Sequence, residues 1–269
     1  NADASYAGEM TLTDAVKWSK NTVAWNIYQQ ITPKTGSSFL IKMGFHKIWV
    51  DKDYNAGALG GFTYGVTTEE MAGGYAALAN DGVYRKATCI RLIVDASNKT
   101  VVNETNRDSK VYDKSASRMM TQMLREVVLS GTGTSANVEN AVVAGKTGTT
   151  NASKDVWFCG YSKYYTTTVW AGYDYPKEMS GVNSRVNAIF KDFMTAVHTN
   201  LPVTDFSTVT QQTTQPETTA AVQEETESLP QETTAIVPET TGIEQVTPQQ
   251  VPSTTAQVPT TTPYQRWTT

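Results

Sequence analysis

The spacing of hydrophobic positions changes period several times along the chain, and each change marks an element. Leu12, Ala15 and Val16 share a helical face behind Thr11, with Asp14 placed to complete a cap. The pattern breaks at Ser19-Lys20-Asn21 and resumes at Val23, Ala24, Ile27 and Ile31, which predicts a second helix from near Asn21 that stops at Pro33 and Gly36. Ser19 to Asn21 then lie at a helix–helix junction, where Ser and Asn serve most simply as polar caps. Residues 41–49 read as a short mixed segment, and Ala58-Leu59-Gly60-Gly61 as a tight turn. Thr67 and Glu70 form a capping box for a core helix carrying Met71, Ala72, Tyr75, Ala76, Leu78 and Ala79, ended by Asn80-Asp81-Gly82.

Beyond it the period shortens. Ile90 to Val94 and Val101-Val102 flank the polar loop 95–99, a β-hairpin pattern. Helical spacing returns from Ser115 to Leu129, where Met119, Met120 and Met123 join Leu124, Val127 and Val128 as core filling before Gly131 ends the helix. Residues 142–149, 155–161 and 166–173 then read as three consecutive antiparallel strands. In the closing amphipathic helix, 183–198, Val186, Ile189, Phe190, Phe193, Met194 and Val197 fall on one face that would pack across that sheet. The expected class is α+β: a mainly antiparallel sheet covered by helices, plus a helical subdomain from roughly the first 80 residues.

Composition divides the 269 residues in two. From Ser207 to Thr269 there are 19 Thr, 10 Gln, 7 of the chain's 10 Pro and no Lys. Seven Glu against Arg266 give this tail a net charge of −6; removing it from the whole-chain −4 leaves +2 for residues 1–206. Such a tail buries too little apolar surface to offset its ordering entropy and is expected to be disordered. The nearly neutral remainder gives no support to nucleic-acid binding. No apolar run reaches the roughly 18 residues that span a bilayer. Asn1 to Tyr6 read like the interior of a longer chain, so the sequence is expected to be an N-terminally truncated piece. Cys89 and Cys159 each fall in an expected strand and read as buried free thiols, with a disulfide between them the alternative that no sequence feature supports. His46 and His198 have no ligand-spaced neighbours, which makes both structural and a metal site unexpected.

The chemistry concentrates at Val143-Ala144-Gly145-Lys146-Thr147-Gly148-Thr149-Thr150. An apolar start, Ala141 to Ala144, gives way to a lysine, hydroxyls and glycines, as in a strand that buries one end and presents the other to a ligand. Lys146 supplies a positive charge, Thr147 and Thr149 supply hydroxyl donors, and Gly145 and Gly148 allow another backbone to come close. That set suits a carboxylate next to an amide carbonyl.

Ser19-x-Asn21, then Lys146-Thr147-Gly148 about 125 residues on, then Asp155-x-Trp157-Phe158, resembles the serine acyl-transferases that react with penicillin, whose signature is S-x-x-K, S-x-N and K-T-G. Within that superfamily the chain most resembles the transpeptidase domain of bifunctional (class A) penicillin-binding proteins. The likeness runs from Thr11 to Asp174 and includes Thr11-Leu12-Thr13-x-Ala15, Ala58-Leu59-Gly60-Gly61, Gly65-Val66-Thr67, Gly131-Thr132-Gly133, Gly145 to Thr150 and Asp155-x-Trp157-Phe158-x-Gly160-Tyr161.

The resemblance implies transfer of an acyl group from a D-alanyl-D-alanine stem peptide to a serine and then to a neighbouring amine, cross-linking peptidoglycan. β-Lactams would enter the same site. By the same likeness Ser19 relays a proton, Asn21 bonds the acyl side-chain amide, and Lys146, Thr147, Gly148 and Thr149 line the carboxylate and carbonyl subsite. Thr149 N–H would also face the oxyanion. No metal, cofactor or histidine is required. The S-x-x-K pair is absent from the given residues, so the chain alone is expected to be inactive. Its parent is expected to carry a membrane anchor and a glycosyltransferase domain, and to work on the extracytoplasmic face of the membrane among cell-wall, divisome and elongasome proteins. Two other readings stand beside this one: a non-catalytic sensor or pseudoenzyme that binds β-lactams, and a β-lactamase. The last would need a deacylating glutamate among Glu69, Glu70, Glu104, Glu126 and Glu139. The tail is compatible with a wall spacer or a wall-binding segment.

Overall fold

The computed structural model describes residues 8–104 and 108–209; the greater part of the Thr/Pro/Gln-rich tail lies outside them. The described chain begins with two helices, α1 (Leu12–Lys17) and α2 (Asn21–Ile31). Thr11 caps α1 by accepting the Asp14 amide at 3.1 Å. Pro33 stops α2, as expected, but it also starts a third helix, α3 (Pro33–Lys42), in which Gly36 is an interior residue and not a stop. Thr32 takes a positive φ of 69° to turn the corner, and its hydroxyl accepts the Thr35 amide. A proline at the first helical position gives up only an amide that has no intrahelical partner, so the same residue can close one helix and open the next.

The capping box at Thr67 and Glu70 is present in both directions and opens α4 (Thr68–Ala79). Three short strands and one of four follow: β1 (Val83–Arg85), β2 (Leu92–Val94), β3 (Thr100–Asn103) and β4 (Asp108–Lys110). β2 and β3 form the expected hairpin, while β1 pairs antiparallel with β4. Cys89 lies in the bend between β1 and β2 and is exposed, contrary to the buried strand position expected of it. Its apolar neighbour Ile90 and the β2 strand that follows are exposed as well, so the apolar run around Cys89 marks no core position.

The core is a three-stranded antiparallel sheet, β5 (Ala144–Thr149), β6 (Asp155–Tyr161) and β7 (Thr166–Gly172), in the order β5-β6-β7. Alternation on β6 sorts its side chains between two layers. Val156 and Phe158 face α6 (Val182–Val197), with the Phe158 and Phe190 rings 4.5 Å apart. Cys159 and Tyr161 face the other way, and Tyr161 bonds the Thr121 hydroxyl of α5 (Lys114–Ser130) at 2.8 Å. Burial pushes the Cys159 thiol up to about 12. Truncating Phe190, which is fully buried, would cost about 3–5 kcal/mol. Val186, Phe190 and Met194 form the buried stripe of α6, whereas Ile189 and Phe193 are about half exposed. The inward face is therefore narrower than the apolar spacing suggested. α4 and α5 cover the opposite face of the sheet, and a second cluster around Met43, Phe45, Ile48 and Ala77 joins α3 to α4.

Candidate active site

β5 is an edge strand among the described residues, and its open edge carries the Lys146-Thr147-Gly148 run. Burial falls along it from Ala144, fully buried, to Thr149, exposed. Gly145 is required by packing: a Cβ there would stand 2.8 Å from both the Cys159 carbonyl and the Phe158 ring. The Thr150 amide turns inward to the Asp155 carbonyl at 3.0 Å. The two-residue alternation of an antiparallel ladder therefore turns the backbone groups of Thr149 and Thr147 outward. Lys146 Nζ donates to that outward Thr147 carbonyl at 2.9 Å.

Lys146 also reaches across to the helical layer, donating to Ser19 Oγ at 2.8 Å. Ser19 stands where α1 ends. Its amide bonds the Val16 carbonyl and the Lys20 amide bonds that of Ala15, so the chain folds back in a left-handed turn with Ser19 at φ 54°. Glycine normally fills such a turn. Lys20, not Asn21, is the N-cap of α2, and it makes no side-chain cap bond; Asn21 is the first helical residue. Simple capping therefore does not account for the serine and the asparagine, and both line a cleft of about 400 Å³.

The cleft is also lined by Thr132, Thr147, Thr149, Trp157 and Asn183. Thr149 donates to Asn183 Oδ1 at 3.3 Å, which ties the strand end to the start of α6. Thr132 and Thr147 share a hydroxyl–hydroxyl bond of 2.8 Å. Gly148 sits in β5 between Thr147 and Thr149, against the Trp157 side chain. All six residues expected from sequence, Ser19, Asn21, Lys146, Thr147, Gly148 and Thr149, thus gather at one corner. Thr132 and Trp157 appeared in the sequence only as parts of matching motifs. Asn183 carried no signal, because only the fold brings the start of α6 to the end of β5.

Desolvation lowers the Lys146 pKa from 10.5 to about 8. Its amine remains mostly protonated near neutrality, but it can give up a proton at modest cost. None of Glu69, Glu70, Glu104, Glu126 and Glu139 lines the cleft. Glu70 is committed to capping α4 and to the His46 amide.

A sheet edge bearing Lys146-Thr147-Gly148 against a Ser19-x-Asn21 helix corner is built on a fold shared with solved penicillin-binding proteins. Penicillin-binding protein 1A of Haemophilus influenzae superposes with a TM-score of 0.61 at 22% identity, over 77% of this chain and 37% of that one. PonA1 of Mycobacterium tuberculosis, solved in complex with penicillin V, superposes with a TM-score of 0.63 at 20% identity, over 78% and 61%. In sequence, penicillin-binding protein 1F of Bacillus subtilis is 35% identical over 204 residues, 72% of this chain and 28% of the relative. Penicillin-binding protein 1A of Aquifex aeolicus is 38% identical over 213 residues, 77% and 28%. The chain therefore spans less than a third of the length of these curated relatives. The family model for the penicillin binding protein transpeptidase domain matches residues 1–195, and the chain belongs to that family.

Proposed function

We propose that this chain supplies the substrate-holding half of a serine D,D-transpeptidase centre that cross-links peptidoglycan stem peptides and is acylated by β-lactams. The observation that carries the reading is the 2.8 Å bond from Lys146 to Ser19, formed between residues 127 apart in sequence. In this reading the nucleophilic serine and its lysine come from an S-x-x-K segment outside the given residues. The ligand carboxylate meets Lys146 and the Thr147 and Thr149 hydroxyls. Oxyanion charge falls on the outward Thr149 amide, a kind of donor worth about 3–4 kcal/mol in comparable sites. Ser19, held by the lysine with the lowered pKa, passes a proton to the departing amine, and Asn21 holds the acyl side-chain amide. The parent protein would work on the extracytoplasmic face of the membrane; among the described residues no helix is long and apolar enough to cross it. A cleft lined by hydroxyls, amides and Lys20, with Lys146 Nζ against Ser19 and without a carboxylate among the described lining residues, favours transfer over the glutamate-assisted hydrolysis of a β-lactamase.

Fluorescent penicillin tests the assignment. The 269-residue chain alone is expected to take no covalent label. A longer protein with an upstream S-x-x-K is expected to take one, and to lose it on Lys146→Ala or on replacing that serine. Label retained after replacement of the serine would overturn the reading, and label on the isolated chain would overturn its division into two halves.

A further inference from the structure

We propose that Thr132 is a positioning residue of the cleft: its hydroxyl holds that of Thr147 as a donor aimed at a bound carboxylate. The inference rests on the carboxylate-binding reading above and deepens it. Thr132 and Thr147 are joined by a single hydroxyl–hydroxyl bond of 2.8 Å, and both line the cleft. A hydroxyl has one proton to give. If Thr147 gives its proton to Thr132, only lone pairs are left to face an anion. If Thr132 gives its own, the Thr147 proton is released toward the ligand while its oxygen stays tethered. An anion in the cleft selects the second arrangement, so Thr132 sets the polarity of its neighbour.

The geometry around Thr132 suits that role. It sits in the Gly131-Thr132-Gly133 turn that ends α5, and its amide bonds the Lys17 carbonyl at 3.3 Å, two residues before Ser19. Gly131 is pressed so closely on α1 that a Cβ would lie 2.6 Å from the Lys17 carbonyl oxygen. Gly133 backs onto Phe158 and Val127. The turn is thus clamped between α1, α5 and the sheet, and it carries an exposed hydroxyl held from beneath. A mobile surface threonine could not orient Thr147; this one is fixed by the same helix end that fixes Ser19.

The test uses the ¹⁵N-labelled 269-residue chain, titrated by NMR with N-acetyl-D-alanyl-D-alanine and with its C-terminal amide, reading the amides of residues 145–149. The wild type is expected to prefer the acid to the amide about tenfold, as a charge-assisted site should. Thr132→Val, which keeps the shape and loses the hydroxyl, should reduce that preference about fivefold by weakening acid binding more than amide binding, the scale of one neutral hydrogen bond. Thr132→Ser should restore it. An unchanged preference in Thr132→Val, or equal loss in the Val and Ser variants, would overturn the role of Thr132 and leave the site reading intact. A wild type that binds both ligands yet shows no acid preference, or binds neither, would overturn the carboxylate reading, and the role of Thr132 with it.

Discussion

Two residues of the site hold conformations or charge states that the fold alone would not favour. Ser19 has φ 54°, where a Cβ costs about 1–2 kcal/mol. Strain at a residue whose hydroxyl meets Lys146 is the pattern expected where position matters more than stability. Ser19→Gly and Ser19→Ala both delete the hydroxyl, but only alanine keeps the Cβ. Glycine should therefore be the more stable variant by about 1 kcal/mol in urea unfolding, the reverse of the usual order within helices. Lys146 is the second case. Desolvation holds its folded pKa near 8 against 10.5, so its partly buried cation costs on the order of 3 kcal/mol when both states are protonated, below about pH 8. Between pH 8 and 10.5 the unfolded chain binds the extra proton, and stability attributable to Lys146 rises with pH. Lys146→Met removes that slope. The wild type should gain on the Met variant in urea midpoint between pH 7 and 10, and parallel profiles would show that the amine is not desolvated.

At the scale of elements, the joints matter more than the spans. Gly131 lets the end of α5 touch the end of α1: a Cβ would meet Lys17 O at 2.6 Å, Lys17 Cγ at 2.8 Å and Val127 Cα at 2.9 Å. Gly131→Ala must displace one helix end, which should cost about 1–3 kcal/mol. It should also loosen the Ser19–Lys146 contact, so that the Lys146 pKa, followed by NMR, moves back toward 10.5 as water enters. A destabilised variant with an unmoved pKa would separate the joint from the site. The spans themselves were legible in sequence, because period and caps are local: the Thr67–Glu70 box, the three strands of the sheet and the stripe of Val186, Phe190 and Met194 all follow from spacing. What local pattern could not supply was the second role of Pro33, the exposure of Cys89 and the left-handed turn at Ser19. Each depends on how the chain leaves an element. The K-T-G strand and the S-x-N corner could be named in sequence only by resemblance, since nothing in either stretch states that the two face each other.

At the scale of the whole molecule, the extended segment after α6 works as a strap. Phe206 meets Tyr161 edge-on at 5.5 Å and joins the cluster of Leu124, Ala144 and Tyr161 directly behind β5. Around it, Arg125 grips Asp205 at 2.8 Å, Tyr164 bonds Thr204 and Arg118 reaches the Thr208 carbonyl. These contacts are not equal. The Arg125–Asp205 pair is solvent-accessible on both sides, and exposed ion pairs contribute about 0–1 kcal/mol. Phe206 covers apolar side chains that α5 and the sheet leave open, and its truncation should cost about 2–3 kcal/mol, somewhat below a fully buried phenylalanine. Phe206→Ala should therefore lower the thermal midpoint by several degrees, while Arg125→Ala leaves it within about a degree. Because Ala144 immediately precedes Gly145 and Lys146, Phe206→Ala should also speed hydrogen exchange at the Lys146 and Gly148 amides, the two that face β6, beyond what the global loss of stability accounts for. Exchange that quickens uniformly across β5, β6 and β7 would mean that the strap holds the fold without bracing the β5 edge.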